Sequence, residues 1–324
     1  MKPALKMWLQ QRLKVFPGLL SSSWARRVLA FLGFLVIIYW YFSLKSSYKS
    51  LWYSGLPKGA SGACLLVQTK QWKALAEKGE LLLINFPGEE AKLQGPTVVG
   101  NGHIIVDVGK NNLWVSSLSV LFHLTSYFPL TFAKSTGVST ELHATAVMLK
   151  DGMVRTIRCL QFETSDSSRD CVTVREDHFA HRSRPHVYVQ RIHITNPSDR
   201  VATFEIFSQK PINGEKFSSS VEKLQERQFV LSSGRVTVDN GKIILVVVAT
   251  KKIINRVQVS PKSEYDETIF SVVYTSDPID PGKLIDTFSK LRESAKKEMM
   301  ELMHMINEDL FHSISRYGRT YSYQ

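Results

Sequence analysis

The feature that most constrains this chain is an apolar run over residues 28–44, entered through Arg26-Arg27 and left through Lys45. It carries no charge over about seventeen residues, the short end of what spans a hydrocarbon core and longer than the ~7–15 apolar residues of a cleavable signal. Tyr39, Trp40, Tyr41 and Phe42 crowd its far end, where amphipathic rings sit at a bilayer interface. Small residues suited to cleavage come only well downstream, at Gly59-Ala60-Ser61-Gly62-Ala63. The run therefore reads as an uncleaved signal-anchor. The alternative, a core helix of a soluble domain, fits poorly behind a basic leader that has no acidic residue.

Charge gives the orientation. Lys2, Lys6, Arg12, Lys14, Arg26 and Arg27 precede the run with no Asp or Glu, whereas Lys45, Lys49 and Lys58 follow it. By the positive-inside rule the N-terminus is expected to stay cytosolic and the chain from about residue 46 to be lumenal or extracellular. The formal charge of +12 is then largely a topology signal: six of the 41 basic residues and none of the 29 acidic ones lie in the leader, leaving 35 against 29, or +6, beyond it. That remainder is scattered and no nucleic-acid motif accompanies it, so a nucleic-acid partner is not expected.

Three cysteines in an oxidising compartment imply one bridge and one leftover thiol. Cys159 and Cys171 flank the polar stretch 163–169 between two strand-like runs, so a hairpin is expected to bring them together as a disulfide, with Cys64 left over; the alternative is a pair of unbridged buried thiols. Asn196-Pro197-Ser198 is no glycosylation acceptor because of its proline.

Residues 45–63 read as a Ser/Gly/Lys-rich linker and 65–78 as a short helix stopped by Gly79. The period then changes to that of strands, expected at 81–85, 103–108, 113–115, 142–149, 154–162, 171–175, 186–195, 201–207, 228–231, 236–238, 242–250, 257–259 and 268–274. Asp151-Gly152 and Asn240-Gly241 are tight-hairpin dipeptides. Leu142, Ala144, Ala146 and Met148 share one face, as do Phe270, Val272 and Tyr274, each suggesting a strand with one wet side. Residues 243–249 read as buried on both faces, and a slip of apolar phase within 186–195 suggests a bulge. Asp280-Pro281 opens the one long amphipathic helix, expected to run to about residue 310 with its apolar side packed on the sheets or a following domain. The expected fold is mainly β: a large antiparallel β-sandwich (64–279) after a leader (1–27), anchor (28–44) and linker (45–63), with a C-terminal helical linker (280–312) and a divergent tail (313–324).

Candidate chemistry is thin. Residues 175–186 hold three histidines and two carboxylates, but the spacing of His178 and His181 on a strand connection matches no metal motif, and neither a metal nor a cofactor is expected. Val99-Gly100-Asn101-Gly102 reads as a turn and not a phosphate loop, because it opens a strand and lacks the third glycine. No catalytic constellation emerges. If a glycan binds, Trp114, Tyr188 and the connection carrying Arg182, Arg184 and His186 are the candidate contacts; a protein partner is the other possibility.

The segments Trp8–Lys14, Pro17–Arg27, His181–Ile192, Lys251–Arg256 and Lys296–Leu302 resemble a family of uncharacterised single-pass membrane proteins. The resemblance implies an N-terminal signal or anchor, a large exported domain and a membrane helix near the C-terminus, and no activity. It extends to about Phe311; the family's second half and C-terminal membrane helix are absent and the tail after His312 departs, as in a truncated or spliced product. A more distant similarity, in the order of Asn101-Gly102, Glu176–Arg184 and the 280–310 helix, is to the N-terminal β-sandwich of glycoside hydrolases that continue into an (α/α)6 barrel. Their catalytic carboxylates belong to the barrel, so no catalytic residue transfers.

Overall fold

The computed structural model describes residues 31–39, 59–87, 96–110, 112–117, 120–125, 131–162, 171–208, 217–224, 227–237 and 242–304. The chain divides into two compact units, 1–56 and 57–324. In the first, residues 31–39 form an α-helix, α1, whose apolar side chains include Phe31, Phe34, Val36 and Ile37, all exposed. The rest of the apolar run lies outside the described residues. No helix among the described residues is long and apolar enough to cross a membrane.

The second unit is mainly β, with large antiparallel sheets and a C-terminal helix. It opens with α2 (Ala60–Gln68) and α3 (Trp72–Glu77), where the sequence suggested one helix over 65–78 and a linker reaching residue 63. The break has a local cause. The buried Thr69 hydroxyl donates to the Leu65 carbonyl at 2.6 Å, a side-chain competitor to the helical ladder. Gly79, at φ 72°, terminates the pair as expected.

Sixteen strands follow in the described residues: β1 (Leu81–Asn85), β2 (Val98–Gly100), β3 (Ile104–Asp107), β4 (Asn112–Ser117), β5 (Val120–Thr125), β6 (Thr131–Ser135), β7 (Val138–Met148), β8 (Met153–Phe162), β9 (Val172–Ala180), β10 (Val187–Asn196), β11 (Ala202–Ser208), β12 (Phe217–Leu224), β13 (Arg227–Thr237), β14 (Ile243–Lys251), β15 (Arg256–Val259) and β16 (Ser263–Thr275). One sheet has nine strands in the order β1-β7-β8-β9-β10-β16-β14-β13-β12; β15-β11-β6 and β2-β3-β4-β5 form two smaller ones. The β7–β8 turn uses Asp151-Gly152 with Gly152 at φ 66°. Asn240-Gly241 lies outside the described residues, although β13 and β14 on either side pair antiparallel. The runs 228–231 and 236–238 belong to one strand, β13.

The two small sheets lie against one face of the large sheet, its inner face. Ile104, Val106, Leu113 and Val115 of the four-stranded sheet pack with Val154, Tyr188, Val246 and Val273. Phe204 and Ile206 of β11 pack with Val174, Ile192, Ile194 and Ile269. On the outer face, α2 contacts β7 and β8 at one side, and the helix α4 (Leu284–His304) contacts β14 and β16 at the other. A short 3-10 turn, Pro281–Lys283, leads into α4; residues beyond 304 lie outside the described set. α4 buries Ala295, Met299, Leu302 and Met303.

This double cover corrects two readings of burial. β16 is buried on both faces from Ile269 to Val273, because α4 roofs the side that Phe270 and Val272 present. β10 has no bulge: its register to β9 and β16 runs unbroken, and the slipped apolar phase reflects burial of both faces from Val187 to Gln190. The irregularities occur instead between Val138 and Thr140 and between Leu83 and Asn85.

The expected Cys159–Cys171 disulfide is also corrected. Cys159 is bridged to Cys64 of α2, with Cα atoms 6.1 Å apart, and Cys171 is a free, buried thiol. Register explains it. Cys159 stands opposite Thr173, so Cys171 is two residues off, a diagonal neighbour, while α2 lays Cys64 directly over β8.

Candidate functional site

The polar residues singled out at 175–188 fall on β9, on the start of β10 and on the connection between them. Strand alternation divides them between the two sheet faces. On the inner face, Arg158 donates to Glu176 at 2.6 Å, His178 Nε2 lies 3.7 Å from Glu176, and His178 Nδ1 is hydrogen bonded to the Tyr188 hydroxyl at 2.7 Å. The 3.7 Å separation is an ion-pair distance and not a hydrogen bond. Burial pushes the Glu176 carboxyl up, but His178 and the Arg158 guanidinium outweigh it and hold the carboxyl below its usual range. Burial likewise keeps the Tyr188 phenol well above its ordinary value. A carboxylate locked in this way is a structural ion pair; it is not poised to exchange protons near neutral pH.

On the outer face, Arg155, Asp177 and Arg191 stand in one cross-strand row, with Arg175, His193 and Asp266 in the next row on that face. Arg155 grips Asp177 with both arms, at 2.6 and 3.0 Å, and Arg175 Nε lies 3.4 Å from the same carboxylate without hydrogen-bond geometry. Arg191 and His193 share Asp266. Burial lowers the Arg175 guanidinium and the neighbouring Arg155 and Arg191 add to it, against the pull of Asp177.

The 181–186 connection is held by Asn101. Its Nδ2 donates to the carbonyls of His181 and Pro185, at 2.8 and 3.0 Å, and its Oδ1 accepts from the backbone of His103 and Ile104. The Asn101-Gly102 segment is indeed a turn, with Gly102 at φ 91°, and its asparagine also clamps a distant loop. A ring stack follows: His103 meets His186 edge-on at 4.5 Å, His186 stacks on Tyr274 at 4.1 Å, and the Tyr274 hydroxyl donates to Glu298 of α4 at 2.6 Å. Arg184 completes the link by pairing with Glu298 and Glu301. Burial, and secondarily the facing His186, lowers the His103 imidazole.

Of the expected glycan contacts, Arg184 and His186 belong to this stack, Arg182 is exposed beside Gly152, and Trp114 is half-buried on β4, alternating with the buried Leu113 and Val115. Tyr188 is 1% exposed and bonded inside the core, so it has no face to offer a sugar. The missed members, Asn101, His103, Tyr274 and Glu298, are spread over some 200 residues, and no local spacing marks them. A cleft of about 480 Å³ lies elsewhere, between β12–β14 and the start of α4; Arg235 is its only titratable lining residue. Among the described residues, the one group of three side chains close enough to share a metal is Cys64, Cys159 and Cys171, two of which are bridged to each other.

A family model described as "Uncharacterized conserved protein (DUF2152)" matches residues 12–319. The chain belongs to this family. The chain is also similar to the "Uncharacterized protein KIAA2013 homolog" of Xenopus tropicalis, 77% identical over 306 residues, covering 94% of this chain and 50% of that protein. Its Xenopus laevis counterpart is 75% identical over 306 residues, covering 94% and 51% respectively. The chain thus spans about half the length of the curated relatives it matches. The family match runs past Phe311, into the tail that the sequence reading set apart. A solved structure, "Putative kojibiose phosphorylase from human microbiome", is similar over 69% of this chain and 35% of its own, with a TM-score of 0.42 and 9% identity, too distant to inform fold or chemistry.

Proposed function

We propose that this chain is a membrane-anchored, lumenal or extracellular β-sandwich with a non-catalytic structural or interaction role. The observation that carries the reading is the Cys64–Cys159 bridge, which ties α2 to β8, the third strand of the large sheet. Such bridges persist in oxidising compartments and are rare in the cytosol. The run over residues 28–44 is the anchor in this reading, and the exposed apolar side chains of α1 support it, since such a surface is favourable against lipid and costly against water. The absence of a catalytic role rests on the polar clusters themselves, whose carboxylates are spent on arginines.

Acceptor sites for N-glycosylation introduced separately near residue 5 and within 163–170 test the topology. Modification is expected only at the second. Modification at the first, or recovery of all three cysteines reduced from cells, overturns the proposal.

A second reading, glycan binding, rests on Trp114, which is half-buried on β4. An array probed with the protein and with Trp114→Ala checks it: binding lost in the variant is the expected result, and no binding by either protein ends the reading.

A further inference from the structure

The cysteines form a three-sulfur group, not a bridge with a remote spare thiol. All three sulfurs lie within 4.8 Å of one another. Cys159 lies on β8 opposite Thr173, and Cys171 immediately precedes the neighbouring β9, two residues out of register with Cys159. Cys171 itself is buried just before the start of β9. Cys64 is only partly buried, whereas Cys159 is fully enclosed.

We infer that Cys171 is the resolving thiol of an exchangeable disulfide, able to move the bridge from Cys64–Cys159 to Cys159–Cys171 and so unlatch α2 from the sheet. In the exchange Cys171 gives up its proton to solvent and its sulfur attacks Cys159 Sγ. The bond to Cys64 breaks, and Cys64 leaves as a thiolate that takes up a proton. One S–S bond forms and one breaks, so no oxidant or reductant is consumed. Attack on Cys159 is favoured because the three sulfurs already lie within 4.8 Å of one another, and the departing Cys64 is the least buried of the three residues. The product carries a partly exposed thiol on the helix that follows the linker from the apolar run, free to pair with a second protein.

The resting bridge is kinetically protected. Burial pushes the Cys171 thiol up to about 12, so little of the attacking thiolate exists near neutral pH. The inference rests on the bridge being oxidised in the cell, as proposed above, but the purified protein tests it independently of location.

Peptide mapping of the full chain after trapping with an alkylating agent reads the connectivity. In wild type, Cys171 alone should be alkylated when the protein is unfolded immediately. After incubation at pH 9 without added thiol, alkylated Cys64 and a Cys159–Cys171 peptide should accumulate, at a rate rising about tenfold per pH unit below the thiol's pKa. Cys64→Ser should form the Cys159–Cys171 bridge directly. If Cys64→Ser keeps two free thiols in oxidising buffer while wild type holds only Cys64–Cys159 at every pH, the inference fails. A Cys64–Cys171 bridge with free Cys159 refutes the assigned direction of attack.

Discussion

Asp177→Ala should be among the most destabilising single substitutions in this protein, at about 3–5 kcal/mol. The carboxylate is 1% exposed, takes two hydrogen bonds from Arg155 and lies beside Arg175, with Arg191 opposite on β10. Removing it leaves three guanidiniums on one patch of the outer face, of which Arg191 alone keeps a hydrogen-bonded carboxylate, Asp266, and Arg175 already lacks a hydrogen bond at Nε. Most of the cost is the uncompensated charge and not a lost bond energy. Replacing the pair together, Arg155→Met with Asp177→Leu, should therefore recover most of the loss. Urea denaturation of the two variants beside wild type measures both. A loss under about 1 kcal/mol for Asp177→Ala would show that solvent screens this row far better than its burial implies.

The same row shows what the sequence could and could not reveal. Glu176 and Asp177 take their hydrogen-bonded arginines, Arg158 and Arg155, from β8, and these meet only through cross-strand register. Alternation identified the apolar face of β7 and the double burial of β14 because both depend on side-chain pattern alone. It misread β16, whose second face is covered by α4, and β10, where both faces are buried from Val187 to Gln190. Short strands such as β2 and β6 carry too few residues to show a period, and β12, Phe-Ser-Ser-Ser-Val-Glu-Lys-Leu, is too polar to announce itself. Asn101 and His103 come from the β2–β3 turn, Tyr274 from β16 and Glu298 from α4, and topology alone brings them together.

The other large effect concerns the cysteines, where local spacing pointed to the wrong pair because it could not see α2 folding back over β8. The native bridge closes a loop of 95 residues. In the chain-entropy account such a loop is worth about 4–5 kcal/mol, against about 3 kcal/mol for the loop of about 12 residues that a Cys159–Cys171 bridge would close. The double variant Cys64→Ser/Cys171→Ser has no bridge and should lose the full amount together with the cost of the Cys171 replacement, about 5–8 kcal/mol, lowering Tm by roughly 15–25 °C for a domain of this size. Cys64→Ser alone can still close the shorter loop and should lose only about 1–2 kcal/mol net. Cys171→Ser keeps the native bridge and should lose about 1–3 kcal/mol, from burying a hydroxyl where a thiol sat. Thermal melts under non-reducing conditions separate these cases: the single Cys64→Ser variant must lie well above the double. If the two coincide, the third sulfur contributes nothing to stability when Cys64 is lost, and the shorter bridge either does not form or strains the β8–β9 ladder as much as it constrains the unfolded chain.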